Sequence, residues 1–233
     1  MKKNYCKLKD NRGMTYVELI VVLSIFAIMS SVVILNYGNF ETKVEIKTLS
    51  NDIAQKVVQA QKFAMSGKSV PKKQQEYMID NGINWTPSYG VYFSQDFPKK
   101  FVYFADLNNS ASNSNFAYNF NSVVNANNCS EIECLEVSDI NKDYSINSIQ
   151  MVFPLDSCSG ASGSSSGSSS DETYTFSNVE ELSVTFTRPD SRAVIQSVPV
   201  FNCSPSFAVV NLSSANNAKS IIKIYPSGRI QIN

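Results

Sequence analysis

An uncharged, strongly apolar run follows directly after a basic N-terminal segment. Residues 19–35 hold no charged side chain in 17 positions, whereas residues 1–13 carry five cations and one anion. A helix rises about 1.5 Å per residue, so this run with its flanks nearly spans the roughly 30 Å hydrocarbon layer of a bilayer. Because positive residues stay on the cytoplasmic side, we expect the N-terminus in the cytoplasm and the chain after Tyr37 outside the cytoplasm.

A cleavable secretory signal, or a plain signal anchor, is the alternative interpretation of this N-terminus. The apolar run is longer than the usual apolar core of a signal peptide, and no A-x-A cleavage site follows it. A helical pattern also continues directly past the run. The sequence therefore favours a membrane helix that is retained in the mature protein.

Glu18 places an acid at the edge of the apolar run. Ionised groups inside a membrane cost a few kcal/mol, so such an acid is a functional candidate. Cleavage after Gly13 would leave a charged α-amino group on Met14. On a helix, Met14 and Glu18 are at positions i and i+4, so this amine could pair with the Glu18 carboxylate. The amine of a neighbouring subunit is the alternative partner. At about 4 Å and an effective dielectric near 20, such a pair is worth about 4 kcal/mol before desolvation.

The string GMTYVE at residues 13–18, between a basic leader and the apolar run, resembles the class III signal of type IV pilins and pseudopilins. The resemblance implies that prepilin peptidase, a membrane-embedded aspartyl enzyme, cuts after Gly13 and methylates Met14. Met14 departs from the Phe that is commoner at this place. The resemblance also implies that subunits pack through their N-terminal helices into a filament, with Glu18 setting their register, and that they meet an inner-membrane assembly platform.

Helical periodicity continues beyond the membrane run. We expect a membrane half at residues 14–37 and an amphipathic half at residues 38–67, which buries one face against a sheet and ends at Gly67 and Pro71. Residues 36–39 interrupt the apolar pattern and predict a bend or a melted turn. The apolar face consists of Ile46, Leu49, Ile53, Val57, Ala60 and Ala64.

Residues 71–233 change to short β-like runs separated by turn residues. The sequence thus predicts an α+β protein, in which the long N-terminal helix packs on a C-terminal antiparallel β-sheet or sandwich domain. Residues 159–170 are almost entirely Ser and Gly and predict a flexible loop. The predicted strands are Tyr89–Ser94, Phe101–Ala105, Ser148–Phe153, Glu181–Thr187, Ala193–Ser197, Phe207–Leu212, Ile221–Tyr225 and Arg229–Ile232.

The chain ends in IIKIYPSGRIQIN, which is similar to the terminal hairpin of H-type minor pseudopilins of type II secretion and of T-type minor pilins. This resemblance implies a small antiparallel sandwich packed against the helix. Some T-type minor pilins bind DNA through basic residues of that hairpin, and Arg229, Lys219 and Lys223 are the candidates here, although Gln231 stands where a second cation would help.

These observations predict a structural protein. The leading hypothesis is a pilin-like subunit, a minor pilin or pseudopilin, of a type IV pilus or a type II secretion pseudopilus. The alternative is a minor pilin on the filament surface that binds DNA or another surface. After removal of residues 1–13, the chain keeps 15 basic and 19 acidic residues. Because the mature chain is then net acidic, nucleic acid is a less favoured partner than other subunits.

No catalytic constellation emerges from the sequence. The chain has no histidine, which excludes Ser-His-Asp and Cys-His nucleophile pairs and HExxH zinc sites. Residues 163–167 formally fit G-x-S-x-G, but they lie inside the Ser/Gly segment without a strand before them or a helix after them. We therefore expect neither enzymatic activity nor a cofactor.

Five cysteines suggest a disulfide framework outside the cytoplasm. Cys6 lies in the leader, which leaves an even number in the mature chain. The favoured pairs are Cys129–Cys134, which closes a local loop, and Cys158–Cys203, which connects the base of the Ser/Gly segment to a strand region. Four reduced, buried thiols are the alternative.

Weak metal candidates lie in the run Asp139, Asn141 and Asp143, whose oxygen ligands alternate as in a calcium loop. The run lacks the glycine and the distal acid of that motif, because Tyr144 and Gln150 stand there. A surface turn is the favoured interpretation, and no metal site is predicted. Weaker candidates still are Asp106, Asn108 and Ser110.

Overall fold

A computed structural model gives the fold of the chain. The chain separates into two compact units, Met1–Glu41 and Thr42–Asn233. For residues 35, 36 and 39 the structure describes the backbone alone. The described residues are 13–107, 116–118, 129, 132–140, 143–154, 173–201 and 203–233.

The first helix, α1, runs from Tyr16 to Ser66 over 51 residues. Residues 36–39 are α-helical, so the expected melted turn is wrong, whereas the bend stays a prediction. A single glycine inside a long helix weakens it without breaking it. Gly67 ends α1 in the left-handed region, with a φ of 61°. Its N–H donates to the Ala64 carbonyl and the Lys68 N–H donates to the Phe63 carbonyl, both at 3.1 Å, which is the Schellman arrangement.

A second helix, α2 (Lys72–Asp80), was not predicted. Pro71, which is predicted from the sequence only to end α1, also starts α2. The backbone N–H groups of Gln74 and Gln75 both donate to the Pro71 carbonyl at 3.0 Å. Gln74 is the buried residue of α2, so the helix carries little apolar periodicity.

Two five-stranded antiparallel sheets make up the β-structure of the described residues, which gives an α+β protein. The first sheet has the order β3-β2-β1-β6-β7 and the second has the order β10-β9-β8-β4-β5. All eight predicted strands are present, whereas β3 and β5 were not predicted. The bounds are β1 Ser88–Ser94, β2 Lys100–Asp106, β3 Cys134–Asp139, β4 Tyr144–Pro154, β5 Thr173–Phe176, β6 Glu181–Phe186, β7 Ala193–Val198, β8 Phe207–Ser214, β9 Lys219–Ile224 and β10 Ile230–Ile232.

The main hydrophobic cluster contains residues of α1 together with residues of both sheets. Every residue of the predicted α1 face belongs to this cluster or packs against it. Polar contacts accompany the apolar ones: Ser50 Oγ donates to Ser220 Oγ at 2.7 Å, and the Tyr144 hydroxyl donates to Glu45 Oε2 at 2.6 Å. These contacts all lie within the unit Thr42–Asn233.

The first sheet is buried on both faces at its centre. Every residue of β1 is buried, because alternate side chains enter different clusters. Tyr89, Val91 and Phe93 belong to the main cluster, whereas Tyr92 lies on the other face of the sheet in a smaller cluster. The other buried members of the smaller cluster are Phe104, Tyr118 and Cys134.

Candidate functional site

The described chain begins with three non-helical residues, 13–15, before α1. Thr15 caps the helix: its Oγ1 accepts the Glu18 N–H at 3.3 Å, and its carbonyl accepts the Leu19 N–H at 3.1 Å. The spacing Thr-x-x-Glu is the capping-box pattern, a signal of the helix start that is present in the sequence but was not predicted. Glu18 lies in the first turn of α1, where an acid also complements the helix dipole.

Met14 and Glu18 do not stand one helical turn apart, because the helix begins at Tyr16. The capping geometry of Thr15 requires non-helical backbone before the helix, and it leaves Met14 outside α1. Met14 is 62% exposed. A Cβ atom on Gly13 would meet nothing within 4 Å, so local packing gives no steric reason for a glycine at that position.

The apolar half of α1 is long and apolar enough to cross a membrane. The span Tyr16–Ile34 covers 19 residues with a mean hydropathy of 2.6, and none of it is buried inside the protein. Large side chains along it are exposed, among them Phe26 at 69% and Ile34 at 72%. Such a surface is unfavourable in water and favourable in hydrocarbon or against another apolar helix.

The Cys129–Cys134 disulfide is present, as predicted, with Cα atoms 5.1 Å apart. Cys134 begins β3 and is buried in the smaller cluster, with Cys129 packed against that cluster. Cys203 is also disulfide-bonded. Its expected partner Cys158 lies outside the described residues, as does Cys6, so that pairing stays a prediction.

The metal candidates are only partly within the described chain. Asp139 has a largely exposed side chain and lies 3.6 Å from Lys100 Nζ, and Asp143 is exposed in a turn. Asn141 lies outside the described residues. Among the residues that the structure describes, no group of three or more His, Cys, Asp or Glu side chains could hold a metal ion.

The weaker candidate Asp106 is fully buried at the end of β2. Its Oδ2 accepts the Phe116 N–H at 2.7 Å, so it ties a connecting segment to the sheet. Asn108 and Ser110 lie outside the described residues, and so does the Ser/Gly segment 159–170 with its G-x-S-x-G string.

The terminal hairpin carries the predicted basic residues. β9 and β10 are joined by a turn in which the Gly228 N–H donates to the Tyr225 carbonyl at 2.8 Å. Lys219 and Lys223 lie four residues apart on β9 and therefore on one face of the second sheet. The Arg229 guanidinium lies 4.0 Å from the centre of the Tyr225 ring.

Two aromatic rings lie beside these cations. The centres of the Phe207 and Tyr225 rings are 5.2 Å apart, and Lys223 Nζ lies 5.2 Å from the Phe207 ring centre. The structure thus brings Lys223 and Arg229 to one basic and aromatic surface. Cations of the chain itself lie over both rings and stabilise them by cation–π attraction.

A half-buried acid, Glu181, lines a cavity of about 320 Å³ on the first sheet. Burial raises the pKa of its carboxyl above the ordinary value, and burial also raises the pKa of the nearby Tyr92 phenol. The other lining side chains, such as Ser183 and Gln196, supply hydrogen-bonding groups. Among the residues that line this cavity, none is an activated nucleophile beside Glu181.

The candidate functional features are therefore an apolar helix with an acid in its first turn, a β-domain that contains a disulfide bond, and a basic hairpin. No protein-family model matches the chain, and neither the curated proteins nor the solved structures contain a match to it.

Proposed function

We propose that the chain is a pilin-like structural subunit, a minor pilin or pseudopilin, that prepilin peptidase processes after Gly13 and that assembles into a type IV pilus or a type II secretion pseudopilus. The observation that carries the proposal is the exposed apolar span Tyr16–Ile34, which follows the Gly13–Met14 bond directly and has its acid, Glu18, in the first helical turn.

Exposure of this span supports assembly through the helix. Because the span buries nothing inside the protein, its apolar surface needs either lipid or the helices of other subunits. The second half of α1 supports the other part of the architecture. Its apolar face enters the same cluster as both sheets, which supports a helix whose C-terminal half belongs to the core of the β-domain.

The start of α1 bears on the partner of Glu18. With Met14 outside the helix, helical spacing does not hold a new Met14 amine over the Glu18 carboxylate of its own chain. We therefore assign the amine of a neighbouring subunit as the partner. A pair between chains fixes the axial register of two helices, whereas a pair within one chain does not. Gly13 offers the peptidase a small residue that packing within the chain does not require.

Variants at Glu18 test whether the negative charge of its carboxylate is needed for assembly. Glu18→Gln keeps a capping-box residue but removes the charge, and Glu18→Ala removes both. We expect both variants to reach the membrane at the level of the parent and to fall about tenfold or more in the sheared filament fraction, because a loss of about 1.4 kcal/mol already changes an equilibrium tenfold. The matched control is Glu41→Ala, which removes an exposed acid elsewhere on α1.

Assembly of Glu18→Gln at the parent level would contradict the charge pair. In that case, a defect of Glu18→Ala alone would assign Glu18 to helix capping. A defect of the Glu41→Ala control would show that any loss of acid from α1 impairs assembly.

A second candidate function is DNA binding at the filament surface, which the grouping of Lys219, Lys223 and Arg229 on and beside β9 favours. We propose that a triple change of these residues to Gln weakens duplex DNA binding by the full chain and flattens its salt dependence, since each lost phosphate contact reduces the slope by about 1. The control changes Lys43, Lys47 and Lys62, which are exposed on α1. Equal affinity and slope for both triple variants would exclude this hairpin as a DNA site.

A further inference from the structure

A cavity of about 330 Å³ lies at the C-terminal end of α1, where the chain passes into α2 and then into β1. All the residues that line it lie between Gly67 and Pro87, in a stretch that the structure describes throughout. The volume is at the lower end of the range of small-molecule sites, so a small ligand is the natural occupant of such a space.

One side of the cavity is apolar and separate from the core. Ile83 is buried and Trp85, the single tryptophan of the chain, is half-buried, yet neither belongs to the main or the smaller hydrophobic cluster. Ile79 on α2 is 78% exposed. Apolar side chains that surround a cavity instead of filling the core are typical of a binding site. The apolar lining residues are Val70, Met78, Ile79, Ile83, Trp85 and Pro87.

Hydrogen bonds hold the lining segments in place. Gln75 Nε2 donates to the Val70 carbonyl at 2.6 Å, and the Ile83 N–H donates to the Met78 carbonyl at 2.7 Å. The Tyr89 hydroxyl donates to the Lys68 carbonyl at 2.5 Å. The cavity is therefore largely pre-formed, which reduces the conformational entropy lost when a ligand binds.

Two cations lie at one corner of the cavity. Lys68 is the only charged residue that lines it, and its Nζ lies 3.6 Å from the centre of the Phe63 ring, where cation–π attraction holds it. A Cβ atom on Gly67, another lining residue, would collide with the Arg188 guanidinium, so this second cation lies directly against the cavity wall. Among the described residues, neither cation forms an ion pair with an acid.

This combination of groups defines the chemistry of a ligand. A carboxylate gains charge-assisted hydrogen bonds from a lysine and an arginine, whereas a cationic ligand is repelled. An aromatic ring gains a favourable contact with a tryptophan and with apolar side chains. Both cations also complement the C-terminal end of α1, whose last turn contains no basic residue, but that role requires no apolar cavity beside them.

We propose that this cavity binds a small aromatic carboxylate. The ring of the ligand contacts Trp85 and the other apolar lining residues, and its carboxylate pairs with Lys68 and Arg188. In this position the ring leaves water while the charged group keeps two cationic partners, so no unpaired charge is buried. The site does not depend on the proposed function, because none of its residues belongs to the apolar span of α1 or to the terminal hairpin.

Titration of the full chain with naphthoate tests the site. The chain is labelled with fluorotryptophan and placed in nanodiscs of phosphatidylcholine, so that no detergent competes for the cavity. Because the sequence contains a single tryptophan, the label gives one fluorine resonance, that of Trp85. Naphthamide has the same ring system without the charge and is the matched control ligand.

We expect naphthoate to shift the Trp85 resonance saturably, with a Kd of about 1 mM or below, as the usual ligand efficiency gives for a molecule of this size. Naphthamide should bind several-fold more weakly. Lys68→Gln and Arg188→Gln should each weaken naphthoate binding about two- to fivefold, as for exposed ion pairs, and the double variant about tenfold. The control Lys62→Gln removes an exposed cation of α1 that does not line the cavity, and it should leave the Kd unchanged.

Ile79→Ser tests the apolar side at a position that the fold does not bury. It should weaken the binding of both ligands, which attraction to two cations alone does not predict. The absence of a saturable shift would overturn the proposal. Equal affinities for naphthoate and naphthamide, an unchanged Kd in the double variant, or an unchanged Kd in Ile79→Ser would overturn it as well, because each removes one of the two recognition elements.

Discussion

At the scale of single residues, one turn glycine has to remain glycine for two separable reasons. Gly228 has a φ of 80°, in the left-handed region that side chains disfavour. A Cβ atom there would lie 2.8 Å from the Ser191 carbonyl oxygen and would also meet the Gln61 amide. Gln61 Nε2 donates to that carbonyl at 2.9 Å, so Gly228 lies directly against the hydrogen bond that joins α1 to the loop before β7.

Gly228→Ala should lower the free energy of unfolding more than Gly82→Ala does. Gly82 is also left-handed, with a φ of 65°, but its Cβ would meet nothing, so Gly82→Ala costs only the backbone strain of about 1–2 kcal/mol. Denaturant unfolding of the full chain, followed by the fluorescence of its single tryptophan, measures both. Equal losses for the two variants would show that the close approach at Gly228 has no energetic weight.

The acid Glu181 gives a pH-dependent prediction. Burial raises the pKa of its carboxyl, so the folded chain binds more protons than the unfolded chain between the ordinary and the raised pKa, and stability falls as the pH rises through that window. Glu181→Gln should therefore raise the unfolding midpoint at pH 7, and the gain should shrink towards pH 4.

The control for this prediction is Glu180→Gln, which changes the exposed neighbouring acid. We expect no comparable gain from it. A Glu181→Gln gain of the same size at pH 4 and pH 7 would mean that something other than the charge destabilises this position.

At the scale of elements, the buried face of α1 gives the clearest stability contrast. Ile53 is fully buried in the main cluster, whereas Val58 is 37% exposed on the same helix. Ile53→Ala should lower the free energy of unfolding by about 2–5 kcal/mol, because it removes buried methyl groups and leaves a cavity. Val58→Ala should cost less than about 1 kcal/mol. Similar midpoints in urea for the two variants would contradict the packing of this face.

The elements that the sequence predicted share a strong periodic signal. The face of α1 repeats at helical spacing. β1 is a nearly continuous run of apolar and aromatic residues, because both faces of the first sheet are covered there, whereas β6 alternates apolar and polar residues with the period of a strand. β3 was not predicted because its exposed edge positions carry polar and charged residues, which are typical of a loop. β5 has four residues, too few for a pattern, and α2 has a polar sequence whose one buried residue is Gln74.

The same distinction, between local and long-range signals, explains which site residues could be predicted from the sequence. The Cys129–Cys134 pair was predictable because a short loop brings two cysteines within bonding distance. The clustering of Lys223 and Arg229 around Tyr225 and Phe207 required the pairing of β8 with β9, which no local pattern specifies. The cap at Thr15 had a visible signature, but the expectation that Met14 continued the helix concealed it.

At the scale of the whole molecule, one chain combines an apolar helix and a β-domain that have different requirements for solvent. The unit Thr42–Asn233 holds the main cluster, whereas the span Tyr16–Ile34 has no burial of its own. In the proposed subunit, lipid covers this span first and the helices of other subunits cover it afterwards. Under the same proposal, cleavage after Gly13 supplies a charged chain end for Glu18, which would make the association of helices specific.

The most direct test is mass spectrometry of the N-terminal peptide of the protein taken from native membranes and from sheared filaments. We predict a peptide that begins at Met14, carries an added methyl group on its amine and still includes the apolar span. Protein that retains residues 1–13 in both fractions, or that has lost the span Tyr16–Ile34, would contradict it.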